Sequence, residues 1–141
     1  MARNTRWFQV AQKSDTAADD SDKTFTVPAA TSWRLLSVYA KLVSDATVGN
    51  RQLDVLVTDA SDNELAKFVA GAVQAASLTR TYLFAPQHPQ ETAFTNALML
   101  RALAGDLVLP AGFKVRIFDS AAIAAATDDL TLRLLVEELV E

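Results

Sequence analysis

Most reactive side-chain chemistry is ruled out by what the chain lacks. It has no cysteine and a single histidine, which removes disulfides, thiolate metal sites and cysteine nucleophiles and leaves too few ligands for a zinc centre or a histidine-based triad. His88 stands in Pro86-Gln87-His88-Pro89-Gln90, a stretch that reads as exposed loop. Asp119, Asp128 and Asp129 fall at the two ends of one expected loop, where carboxylates could meet a hard cation such as calcium. Their spacing matches no calcium-loop pattern, and aspartates at strand ends commonly bond nearby backbone instead, so the structural reading is preferred; Asp59 and Asp62 read the same way. No serine lies in a nucleophile elbow. Paired carboxylates assemble only on folding, and Glu91 is the one acid with an aromatic and apolar neighbourhood. Gly49, Gly71, Gly105 and Gly112 are scattered, so no phosphate loop is present. The expectation is a protein that is not an enzyme, with no catalytic residues, cofactor or metal.

Binding residues are better represented. Trp33, Tyr39 and Tyr82 could stack on sugars from a sandwich face, although core or sheet-edge packing is the preferred reading. At the N-terminus, Arg3, Arg6 and Lys13 have no acidic neighbour, whereas Asp15, Asp19, Asp20 and Asp22 follow without a base. Trp7, Phe8 and Val10 lie in the basic part, and large aromatics in a polar terminus need a surface to lie on. This reads as an extended arm that docks. The other end, Glu137-Glu138-Leu139-Val140-Glu141, is acidic, and termini of opposite sign can connect subunits.

Thirteen basic against seventeen acidic residues give a net charge of -4, which argues against a nucleic-acid partner. The longest apolar run, Ala121 to Ala126, is far short of the roughly 20 residues of a membrane-spanning helix, and Met1 to Lys13 has no apolar signal-peptide core, so neither membrane nor secretion is expected.

The elements that must position these residues have a period of two. Strands are predicted over Trp33 to Val43 with Leu36, Val38, Ala40 and Leu42 inward, and over Arg51 to Asp59 with Leu53, Val55 and Val57 inward and Leu56 anomalous on the outer face. Gly49-Asn50 suggests a hairpin between those two. Further strands follow at Leu65 to Val69, Leu78 to Phe84, Lys114 to Asp119 and Leu130 to Val136, the last with Leu130, Leu132, Leu134 and Val136 on one face. Glu91 to Gly105 fits a short helix or, preferably, a strand alternating through Leu98, Leu100 and Ala102, followed by another strand at Leu107 to Leu109. Such a series of short strands predicts an all-β antiparallel β-sandwich or jelly roll over residues 23–141, with residues 1–22 as an extended N-terminal arm and acidic loop. Alanine-rich Ala70 to Ala76 and Ala121 to Ala126 are suited to close packing against a neighbouring chain.

Several runs carry a resemblance: Trp33-Arg34-Leu35-Leu36-Ser37-Val38, Ala46-Thr47-Val48-Gly49-Asn50-Arg51-Gln52-Leu53, Ala75-Ala76-Ser77-Leu78-Thr79-Arg80, Leu109-Pro110-Ala111-Gly112-Phe113-Lys114-Val115-Arg116-Ile117, and Asp119-Ser120-Ala121-Ala122 with Asp128-Asp129. Together they resemble small β-sandwich structural proteins of tailed bacteriophages, and the N-terminal arm lies outside the match. The resemblance implies a jelly-roll capsid cement, or decoration, protein. Such a protein is assembled in the bacterial host cytoplasm, binds the outer surface of the head and bridges major capsid subunits, often as a homotrimer. In that setting Arg3, Arg6, Trp7 and Phe8 become the expected capsid contacts, as aromatic and arginine side chains dominate binding hot spots. The other implied setting is a head-fibre or tail-associated module that binds carbohydrate or a receptor.

Overall fold

The computed structural model describes residues 7–140, which form ten strands in two facing sheets. The larger sheet runs β1 (Trp7–Asp15), β10 (Asp129–Val140), β3 (Thr31–Val43), β6 (Thr79–Ala85) and β7 (Leu98–Ala102), and the two-residue β8 (Val108–Leu109) pairs with the start of β3. The smaller sheet runs β2 (Asp22–Thr26), β9 (Lys114–Asp119), β4 (Leu53–Thr58) and β5 (Glu64–Val69). The chain steps from one sheet to the other at nearly every early connection, which makes this an all-β sandwich of the jelly-roll kind. All strand pairs are antiparallel except β6 with β7. Among the described residues no helix is long and apolar enough to cross a membrane.

Alternation places the core where the two inner faces meet. Leu130, Leu132, Leu134 and Val136 of β10 are all fully buried, against Val38, Ala40 and Leu42 of β3 and Val55, Val57, Val115 and Ile117 of the opposite sheet. Leu36 does not join them. The register between β10 and β3 shifts at Leu135/Val136, where Leu35 and Ser37 face consecutive partners and Leu36 is the extra residue of a bulge. A bulge reverses side-chain parity, so Trp33 and Leu35 are buried before it and Val38, Ala40 and Leu42 after it.

The expected hairpin across Gly49-Asn50 is instead a crossover, because β3 and β4 lie in different sheets. Gly49 has a φ of 142°, and a Cβ there would press on Ile123 at 3.1 Å. Its role is to let the crossing loop close on the Ala121–Ala126 segment. In β7 the parity is the reverse of that expected: Met99 is fully buried while Leu98 and Leu100 are half-buried, since parallel pairing sets Met99 beside buried Tyr82.

The expected arm is also partly sheet. Residues 7–15 pair with β10 along their whole length, from Trp7 with Val140 to Asp15 with Leu132. Lys13 explains the attachment, because its ammonium turns under the sheet to Glu138, 3.2 Å away, and lies 5.5 Å over the Trp33 ring. The basic and acidic ends therefore meet within one molecule. Acidic residues at the end of β1 and beyond it are recruited in the same way, with Lys23 Nζ 3.0 Å from Asp15 and 3.3 Å from Asp19.

Candidate functional site

Strand β1 has two chemically different faces. Inward, Ala11 and Lys13 approach the core and Glu138, and Gln9, itself exposed, reaches Glu138 through its amide at 3.5 Å; outward, Phe8 and Val10 project from the sheet, 63% and 64% exposed. Glu138 continues the inward parity of β10 beyond Val136, so a carboxylate occupies what would be a core position. Burial pushes its pKa up, but the Trp33 indole N–H (3.2 Å) and the Lys13 and Gln9 donors outweigh that and hold it below the ordinary glutamate value. The edge strand is thereby fixed from beneath.

Around Phe8 the outer surface forms a shallow groove lined by Ser32, Trp33, Arg34, Val108, Glu137 and Leu139. Val108 is more than half exposed and Leu135 is also exposed, which extends the apolar surface. Arg34 borders it, 3.7 Å from Glu137 and 3.8 Å from Asp106. Of the four expected contact residues, the structure places Phe8 on this surface; Trp7 opens β1 by its backbone position, and Arg3 and Arg6 lie outside the described residues. Val108, Leu135 and Leu139 were not singled out from sequence. The available signal was apolar side chains at odd positions of β10, on the face opposite its core leucines.

Elsewhere, polar groups are occupied by structural work. Asp119 accepts hydrogen bonds from the backbone N–H groups of Gln52, Ala121 and Ile123 at 2.8 to 3.0 Å. Asp128 is fully buried against Arg51, whose Nε lies 2.8 Å from its Oδ2. The same guanidinium reaches Asp45 and the carbonyls of Thr47 and Gly49, so all its nitrogens are bonded. Hydrogen bonding to Asp128 raises the Arg51 pKa further. Asp129 starts β10, and Asp59 closes its turn through Ser61 and Asn63. Among the described residues no three histidines, cysteines or acids are grouped to hold a metal ion.

The aromatic candidates for sugar stacking separate. Trp33 and Tyr82 are core residues, 3% and 1% exposed, and only Tyr39 reaches the surface. Tyr82 donates to Gln74 Oε1 at 2.9 Å, and burial raises its pKa. Glu91 accepts from the Leu100 N–H at 2.7 Å and so holds the turn before β7. His88 sits half-buried in the turn after β6.

No family model matches the chain, and no curated protein matches it. Among solved structures, a chain from the structure of infectious bursal disease virus Gx strain is 12% identical with a TM-score of 0.40; the match covers 92% of this chain and 32% of that one. Turnip yellow mosaic virus is 10% identical with a TM-score of 0.34, over 100% and 83% of the two chains. A structure described as PfGH50B is 9% identical with a TM-score of 0.37, over 94% of this chain and 22% of that one. This chain thus spans about a third of the first of these. At such scores and identities the likenesses identify neither a family nor an activity.

Proposed function

We propose that this chain is a structural, non-enzymatic protein of a virus particle: a cement protein that binds the outer surface of a tailed-phage head and bridges neighbouring major capsid subunits. The observation that carries the reading is the outward face of β1, where Phe8 and Val10 stand exposed on a strand pinned from beneath by the Lys13–Glu138–Trp33 cluster. An apolar contact mounted on a rigid sheet loses little conformational entropy on binding. Arg3, Arg6 and Trp7 immediately precede it and extend the contact in this reading. The sequence resemblance to phage structural sandwiches supplies the partner class.

Stabilisation then follows by mass action, since a protein that recognises only the assembled lattice shifts that lattice away from disassembly. In a homo-oligomer several weak contacts act together through effective concentration. Of the three rings the carbohydrate-binding alternative would use, Trp33 and Tyr82 are turned into the core and Tyr39 reaches the surface, which leaves that reading a single ring to stack on.

The test is co-sedimentation with heads assembled without the protein. Wild-type protein is expected to pellet with heads at a fixed stoichiometry, and the Phe8→Ser/Val10→Ser variant to bind at least about tenfold more weakly, the loss of roughly one hot-spot contact. Undiminished binding by the folded variant removes β1 from the contact. Wild-type protein that stays in the supernatant removes the cement reading.

A further inference from the structure

Every open β-sheet must deal with unpaired main-chain N–H and C=O groups along its edges, and the edges formed by β2, β5 and β7 are blunted. Strand β2 is only five residues long and is followed by Pro28, with Asp22 at its start held by Arg116. Strand β5 carries Glu64 and Lys67 and is bulged against β4. Strand β7 is short, and Arg101 within it reaches across to the Val69 carbonyl of β5 at 2.8 Å, clasping those two edges together.

Strand β1 is the least protected of these edges. It is nine residues long, holds unbroken register with β10, contains no proline, and presents Phe8, Val10, Gln12 and Ser14 outward without a charge. Its two charged residues are already neutralised: Lys13 is drawn to Glu138, and Asp15 is bonded by Lys23. Among the described residues no strand pairs with its far side.

We propose that β1 of one molecule pairs antiparallel with β1 of a second copy about a two-fold axis at Ala11. The occupant is a second copy because the strand is complementary to itself. In this register Ala11 faces its own image, Val10 faces Gln12, Gln9 faces Lys13 and Phe8 faces Ser14, so no like charges are opposed. Antiparallel pairing joins residues of the same parity, and the two six-stranded sheets become one continuous sheet with both Phe8–Val10 faces on the same side. The contact is isologous, and therefore closes as a dimer. It does not rest on capsid binding and stands whether or not heads are bound.

Sedimentation velocity of the full chain is expected to show a dimer. The variants Val10→Lys/Gln12→Lys and Val10→Glu/Gln12→Glu change only exposed outward positions, so the sandwich keeps its fold, as circular dichroism would verify. Each alone places like charges directly opposite and is expected to sediment as a monomer; an equimolar mixture restores the dimer. Ala11→Cys, the sole cysteine in its chain, is expected to give a disulfide dimer on oxidation, because directly opposed residues bring Cα atoms to about 4.5–5.5 Å. A wild-type monomer or trimer overturns the proposal, as does a dimer that persists in the Lys/Lys variant. Cross-linking by Val10→Cys as complete as that by Ala11→Cys overturns this register.

Discussion

Arg51 and Asp54 sit three residues apart and show opposite treatments of a buried charge. Arg51 is fully enclosed yet every nitrogen has an acceptor, so the ion pair with Asp128 fastens the crossing loop from β3 to the loop before β10. Removing one partner leaves the other buried and uncompensated. Arg51→Met is therefore expected to lower unfolding free energy by about 3–5 kcal/mol in urea titrations. Arg51→Lys should recover little of it, since an ammonium cannot present the planar fork that spans Asp128 and Asp45. The double variant Arg51→Met/Asp128→Leu should be more stable than either single change.

Asp54, by contrast, is 2% exposed with Oδ1 unpartnered, and Lys67 lies 3.6 Å from Oδ2. Burial raises its pKa, with Lys67 pulling the other way. A raised folded value means its stabilising, protonated form is present below the unfolded pKa of about 3.9 and is lost as pH rises through the folded value. Asp54→Asn escapes that loss. Thermal melts should show the variant more stable than wild type at neutral pH, with the advantage vanishing below about pH 4.

Elements were legible in the sequence where one rule governed them. The four inward residues of β10 follow strict alternation, and the sandwich class follows from repeated short strands. Sequence reading failed where tertiary contacts override local pattern. A single bulge residue, Leu36, reversed parity in β3; Gly49-Asn50 carries hairpin chemistry, yet the buried Arg51 ties that loop to Asp128 and sends the chain to the other sheet. The strand over 7–15 was hidden because its inward residues include Gln9 and Lys13, which look solvent-facing until Glu138 is placed opposite. Leu56 breaks the alternation of β4 because every residue of that strand is buried. The contact face was half legible, since Phe8 stood out as an aromatic in a polar terminus while Val108 needed the fold to bring it alongside.

Glycine 71 offers a test at the same scale. A Cβ there would lie 1.8 Å from the Glu91 carbonyl oxygen, so the segment after β5 and the turn before β7 touch backbone to backbone. Gly71→Ala must separate them and disturb the Glu91 bonds to Leu100 that seat β7. A loss of about 1–3 kcal/mol is expected in chemical denaturation, with increased hydrogen exchange confined first to residues 91–102.

At the scale of the molecule, the question is whether the N-terminus is a detachable arm or part of the sandwich. Detachment predicts that removing residues 1–13 leaves stability unchanged. Nine register pairs with β10 predict otherwise, because the deletion uncovers the β10 edge and strips Glu138 of Lys13 and Gln9. Chains comprising residues 7–141 and 14–141 separate the two views. The second should melt several degrees below the first, as a loss of about 1 kcal/mol moves a domain of this size by a few degrees. Acid titration adds an independent reading. The depressed pKa of Glu138 means it contributes stability that is complete above the unfolded value of about 4.3 and is lost as pH falls through the folded value. That contribution needs Lys13, so the fall in melting temperature below pH 4.3 should be shallower in the chain of residues 14–141; parallel acid profiles for the two chains would mean that the cluster beneath β1 does not hold the strand in place.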